Sequence, residues 1–85
     1  DEFVESAEQI SSKAEFCLFA GKLIQNLRQH PDEWENATLD EFVQGIAGFT
    51  EDMVGDYANI GANIDCHVPS WRLFADILLA GRVYE

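Results

Sequence analysis

The chain has 85 residues, with 16 Asp and Glu against 5 Lys and Arg and a formal net charge of -11. A small domain loses folding stability to self-repulsion when it holds so much charge of one sign, so the imbalance points to a basic partner. The same field argues against direct contact with nucleic-acid phosphates, and no apolar run approaches the ~18 residues of a membrane-spanning helix.

The length suits one domain over residues 1–85. Apolar residues make up 47% of the chain, including six Phe, two Trp and two Tyr. Acidic residues recur among them along the whole length, unlike a disordered acidic tail. Cys17 and Cys66 are too few for a disulfide scaffold and point to a reduced, cytoplasmic setting. A single disulfide between them stays open. No signal-peptide pattern is present at the start, and the first residue is not Met, as a trimmed chain would leave it.

Four helices are expected. The first covers about Glu2 to Ile10, with Phe3, Val4, Ala7 and Ile10 on one face. The second opens at Ser12, where Glu15 completes a capping box. Phe16, Phe19, Ala20, Leu23, Ile24 and Leu27 then share a stripe at helical spacing, and Pro31 stops the helix. Thr38 and Glu41 form a second capping box. Beyond it Leu39, Phe42, Val43, Ile46, Phe49, Met53, Tyr57 and Ile60 make one apolar face, and Gly61 suits the left-handed position that ends a helix.

The fourth helix follows Pro69, with Ser70 as its cap. Trp71, Leu73, Phe74, Ala75, Ile77, Leu78 and Leu79 surround it, broken only by Arg72, Asp76 and Arg82. A helix apolar all round belongs in the middle of a bundle. Ile64 to Val68 reads as locally extended, and no sheet is expected. The fold class is therefore all-α, a compact bundle of about four helices with a largely buried C-terminal helix.

The third helix carries the most informative polar face. Glu41, Gly45, Gly48, Asp52, Gly55 and Asp56 lie opposite its apolar stripe. An interior helical glycine costs about 1 kcal/mol against alanine, so three of them call for a backbone at close range. That backbone belongs either to the first helix or to an external partner lying between Glu41, Asp52 and Asp56. Glu33, Trp34 and Glu35 are neighbouring candidates. Trp34 is either an exposed anchor or a ring folded back over the core, and the burial habits of large aromatics favour the second.

Metal chemistry has weak footing. Glu51, Asp52 and Asp56 cluster on the third helix and could join Asp76 in holding Mg²⁺, as carboxylate pairs do in all-α nucleotide hydrolases. The paired spacing of such motifs is missing, and a solvated acidic face explains the residues. Cys17, His30, Cys66 and His67 lack zinc-ligand spacing, and Cys17 reads as a small core residue at the edge of its stripe. No cofactor is expected.

Three stretches carry a resemblance: Asp32-Glu-Trp-Glu-Asn-Ala-Thr-Leu-Asp-Glu-Phe42, Glu51-Asp-Met-Val-Gly-Asp-Tyr57, and the run from Pro69 through Trp71, Arg82 and Tyr84 to Glu85. Together they resemble a family of small bacterial proteins known only as a domain of unknown function. The resemblance implies a free-standing single-domain protein and supplies no catalytic residue. Asp56 departs from the Tyr that often follows the glycine in that family, and the Ile64 to Val68 loop is individual.

The expected function is an acidic binding protein rather than an enzyme, neutralising a basic protein partner such as a nuclease toxin, in the manner of an immunity protein or antitoxin. The alternatives are a Mg²⁺-dependent nucleotide hydrolase and a structural or regulatory subunit.

Overall fold

Helix boundaries fall where capping side chains and prolines place them. The computed structural model describes residues Glu2–Glu85 and contains α1 (Glu2–Glu8), α2 (Lys13–Gln29), α3 (Leu39–Asn59) and α4 (Trp71–Ala80), with no strand among the described residues. Ser12, Thr38 and Ser70 each accept a hydrogen bond at their helix starts, from the amides of Glu15, Glu41 and Leu73. Each such cap contributes about 1 kcal/mol by satisfying a free amide.

The box at Thr38 is complete, with the Glu41 carboxylate accepting from the Thr38 amide at 3.1 Å. At α2 the return bond falls one residue earlier. Glu15 accepts from the Ser11 amide and hydroxyl, both at 3.0 Å, and from the Ser12 hydroxyl. These bonds, the Ser11 amide first, hold the Glu15 carboxyl below its ordinary range.

Pro31 ends α2 and opens a short 3-10 turn over Pro31–Glu33. α1 stops at Glu8, two residues short of the expected Ile10, yet a turn still delivers Ile10 to the core. Gly61 takes φ +70 after α3. The segment Ile64 to Val68 closes into a turn instead of extending, because the Asp65 carboxylate and carbonyl accept from the amides of His67 and Val68.

α4 lies at the centre and packs against α1, α2 and α3. It divides the interior in two. On one side Ala75 and Leu79 meet Ala7, Ile10, Phe19 and Leu23. On the other Leu73 meets Met53 and Tyr57. Burial of a side chain such as Leu23 stabilises by roughly 1.5–3 kcal/mol.

Several expected core positions face outward. On α2 the buried line runs Phe19, Leu23, Asn26. Ile24 and Leu27 sit to one side of that line and are exposed, as is Cys17. Leu39, Val43 and Ile60 are exposed on α3. Trp71 and Phe74 emerge at the start of α4, where their rings pack at a tilt against Phe16. The reason is coverage: α4 contacts a narrower strip of each neighbour than sequence periodicity marks as apolar.

Candidate partner-binding face

The glycine-bearing side of α3 is covered from within. The cover is neither α1 nor a vacancy for a partner: it is the turn Gly81–Tyr84 that follows α4. A Cβ on Gly45 would lie 2.7 Å from Asn36 Nδ2 and 3.0 Å from the Tyr84 carbonyl oxygen, and one on Gly48 would lie 3.2 Å from the Tyr84 ring. The approach is reciprocal, since a Cβ on Gly81 would meet the Phe42 ring at 2.6 Å. Gly55 has nothing within 4 Å of its notional Cβ, so close approach explains two of the three glycines.

Asn36 holds this turn in place. Its side-chain amide donates to the carbonyls of Gly81 and Tyr84, both at 2.9 Å, and its backbone amide donates to the Arg82 carbonyl at 2.8 Å. Tyr84 completes the attachment. Its hydroxyl donates to Asp52 at 2.6 Å and reaches Asp56 at 3.4 Å. The Asp52 bond, with burial and the two nearby negative charges, pushes the Tyr84 phenol up to about 12.

Trp34 folds back over the first half-core. Its indole N–H donates to Asn26 Oδ1 at 2.7 Å, and its ring stacks on Phe42. Asn26 is buried, and this bond satisfies its side-chain oxygen, as a polar group inside requires. The Arg82 guanidinium sits 5.2 Å from the Phe3 ring centroid and 6.0 Å from the Trp34 ring. Arg82 is 6% exposed, and burial pulls its pKa down. Glu33 and Glu35 remain exposed beside Trp34, and Glu41 is exposed at the α3 cap.

The candidate carboxylates thus fall in two places. Glu33, Glu35 and Glu41 surround the start of α3, while Asp52 and Asp56 sit under Tyr84 in its second half. Asp76 is separate. It accepts from the Tyr57 hydroxyl and pairs with Arg72 Nε at 3.5 Å. Burial raises the Asp76 pKa, against the opposing pull of Tyr57 and Arg72, and burial together with Asp76 raises that of Tyr57. Among the described residues no three His, Cys, Asp or Glu side chains converge as a metal site. Glu51, Asp52, Asp56 and Asp76 do not form such a group.

Residues 12–85 match the model of a family of unknown function, DUF7660. The chain belongs to this family. The DUF7660 match begins at Ser12, the cap of α2, and takes in Asn36, the glycines of α3, all of α4 and Tyr84. No curated protein and no solved structure matches the chain. No helix among the described residues is long and apolar enough to cross a membrane.

Sequence reasoning missed Asn36, Tyr84 and Arg82. Asn36 resembles any loop asparagine, and Tyr84 lies 32 residues from its acceptor. Asp76 and Arg82 showed in the sequence only as breaks, with Arg72, in the apolar run of the fourth helix.

Proposed function

We propose that the protein binds a basic protein partner through its acidic surface, as an immunity protein or antitoxin does, and acts as a binding protein rather than an enzyme. The observation that supports this reading most is how the five cations are distributed. Lys13, Lys22 and Arg28 are exposed on α2, whereas Arg72 is half-buried against Asp76 and Arg82 is buried under two aromatic rings. Between Arg28 and Arg72 the chain has no Lys or Arg. α3 and the loop into α4 therefore present carboxylates with no Lys or Arg of their own, whereas in the Trp34 loop Glu33 lies within reach of Arg82 and His30.

Such a field accelerates encounter with a cationic surface and repels nucleic acid. The partner meets the carboxylates rather than the backbone of Gly45 and Gly48, which Asn36 and Tyr84 already cover, while Gly55 stays open.

The test uses the protein as bait, identification of the bound protein by mass spectrometry, and stopped-flow association at low and high salt. The variant pair is Glu35→Lys with Asp52→Asn. Glu35 has no hydrogen-bond or ion-pair partner among the described residues, and Asn at position 52 still accepts from Tyr84. Association should slow about tenfold at low salt and converge with the native rate at high salt, because exposed charge is screened over ~10 Å at 0.1 M. An acidic partner, or rates independent of salt, would end this reading.

A further inference from the structure

A second feature lies away from the Tyr84 attachment, between the C-terminal half of α3 and the start of α4. A groove of about 560 Å³ is walled by Met53, Val54, Leu73, Phe74 and Ile77, with Pro69 at its end. Val54 is 60% exposed and Phe74 53%. The groove continues onto Trp71, whose ring stacks on Phe74 at 6.5 Å. Apolar surface of this kind, exposed and contiguous, marks an interaction site more often than isolated exposed side chains do.

Charge selects the occupant. Glu51 is the groove's one carboxylate, His67 its one other titratable group besides Cys66, and neither Lys nor Arg lines it. A second copy of the chain is disfavoured, since each copy carries -11. A two-fold contact through this groove would also bring the acidic α3 surfaces of both copies together. A cationic occupant relieves that field. Two helices flanking an apolar trough favour an amphipathic helix, apolar face inward and basic residues at the rim.

We infer that this groove is the anchoring site for a basic amphipathic helix of the partner, with apolar side chains between Val54 and Phe74 and Lys or Arg beside Glu51. The inference rests on the basic-partner reading and adds a location to it. Exposed carboxylates govern how fast the complex forms, and the desolvated apolar anchor governs how slowly it dissociates.

The test is an NMR titration of the isotope-labelled protein with three synthetic peptides. One is a helix of Leu and Lys with the leucines on one face. The second has the same composition in scrambled order. The third replaces Lys by Glu. The amphipathic Leu/Lys peptide should shift the amide signals of Val54, Trp71 and Phe74. Val54→Asn and Phe74→Ser should each weaken it about tenfold, the loss expected for one apolar anchor. Val54→Asn keeps the experiment decisive if Phe74→Ser unfolds, because Val54 lies mostly in solvent.

Equal affinity for the scrambled peptide, with shifts confined to carboxylate-bearing residues, overturns the groove and leaves the basic-partner reading standing. Equal affinity for the Leu/Glu peptide overturns both. A dimer in sedimentation that Val54→Asn dissolves makes a second copy the occupant and overturns the inference. Silence of the groove toward all three peptides overturns it as well.

Discussion

Tyr84 donates its phenolic proton to Asp52 at 2.6 Å, closing the C-terminal turn onto α3 across 32 residues of sequence. The ring lies close enough to α3 that a Cβ on Gly48 would meet it at 3.2 Å. Sequence periodicity placed Asp52 on an open polar face. The structure makes it the fastening point of the segment that covers that face.

The two tyrosines should therefore titrate unusually. An ordinary tyrosine ionises near 10, whereas Tyr84 should ionise near 12 and Tyr57 higher still. Ultraviolet titration of the folded protein should show no phenolate step near 10. Asp52→Asn should bring the Tyr84 step down, because it removes the negative charge that opposes ionisation. Tyr84→Phe should abolish that step. A native step at 10 would show that the hydrogen bond does not form.

The glycines of α3 should respond oppositely to alanine. Gly55→Ala meets nothing within 4 Å and should stabilise by about 0.5–1 kcal/mol through helix propensity. Gly45→Ala gains the same propensity but drives a methyl into Asn36 and the Tyr84 carbonyl. It should destabilise by about 1–3 kcal/mol, the usual cost of overpacking. Asn36→Ala should cost about 2 kcal/mol by leaving two carbonyls without their donor. Urea midpoints decide all three, and equal effects at Gly45 and Gly55 would contradict the close approach.

Two carboxylates should give pH dependences of opposite sign. Glu15 is depressed below its ordinary value of 4.5 by the bonds from Ser11 and Ser12. Its contribution is present above that value and lost as pH falls through the lower folded value. The melting-temperature advantage of the native protein over Glu15→Gln should shrink on acidification below about 4.5. Asp76 is raised above its ordinary 3.8 by burial. The folded state then holds the proton more tightly, so the contribution is present below 3.8 and lost as pH rises through the folded value. Relative to Asp76→Asn, the native melting temperature should fall on going up from about pH 4 and then level. A native advantage that grows with pH would contradict burial as the dominant influence.

Local chemistry made much of the fold legible. Ser12, Thr38, Ser70 and Pro31 act within three or four residues, so sequence spacing alone located the helix ends. The apolar circumference of α4 placed it at the centre. Where periodicity overreached, as at Leu39, Val43 and Ile60, the missing information was which strip of the helix a neighbour covers. The charge imbalance was equally open to reading from the chain.

Only the tertiary structure decided what lies on the glycines of α3, where the cations go and where an apolar groove remains. The turn Gly81–Tyr84 has no period to detect, and its partners Asn36, Gly45 and Asp52 are scattered along the chain. Arg82 appears in sequence as one of five ordinary cations, yet packing places it beneath Phe3 and Trp34 and removes it from the surface. Composition determined the net charge of the protein. Its sidedness was decided by which charged groups the packing of α4 and the following turn left in water.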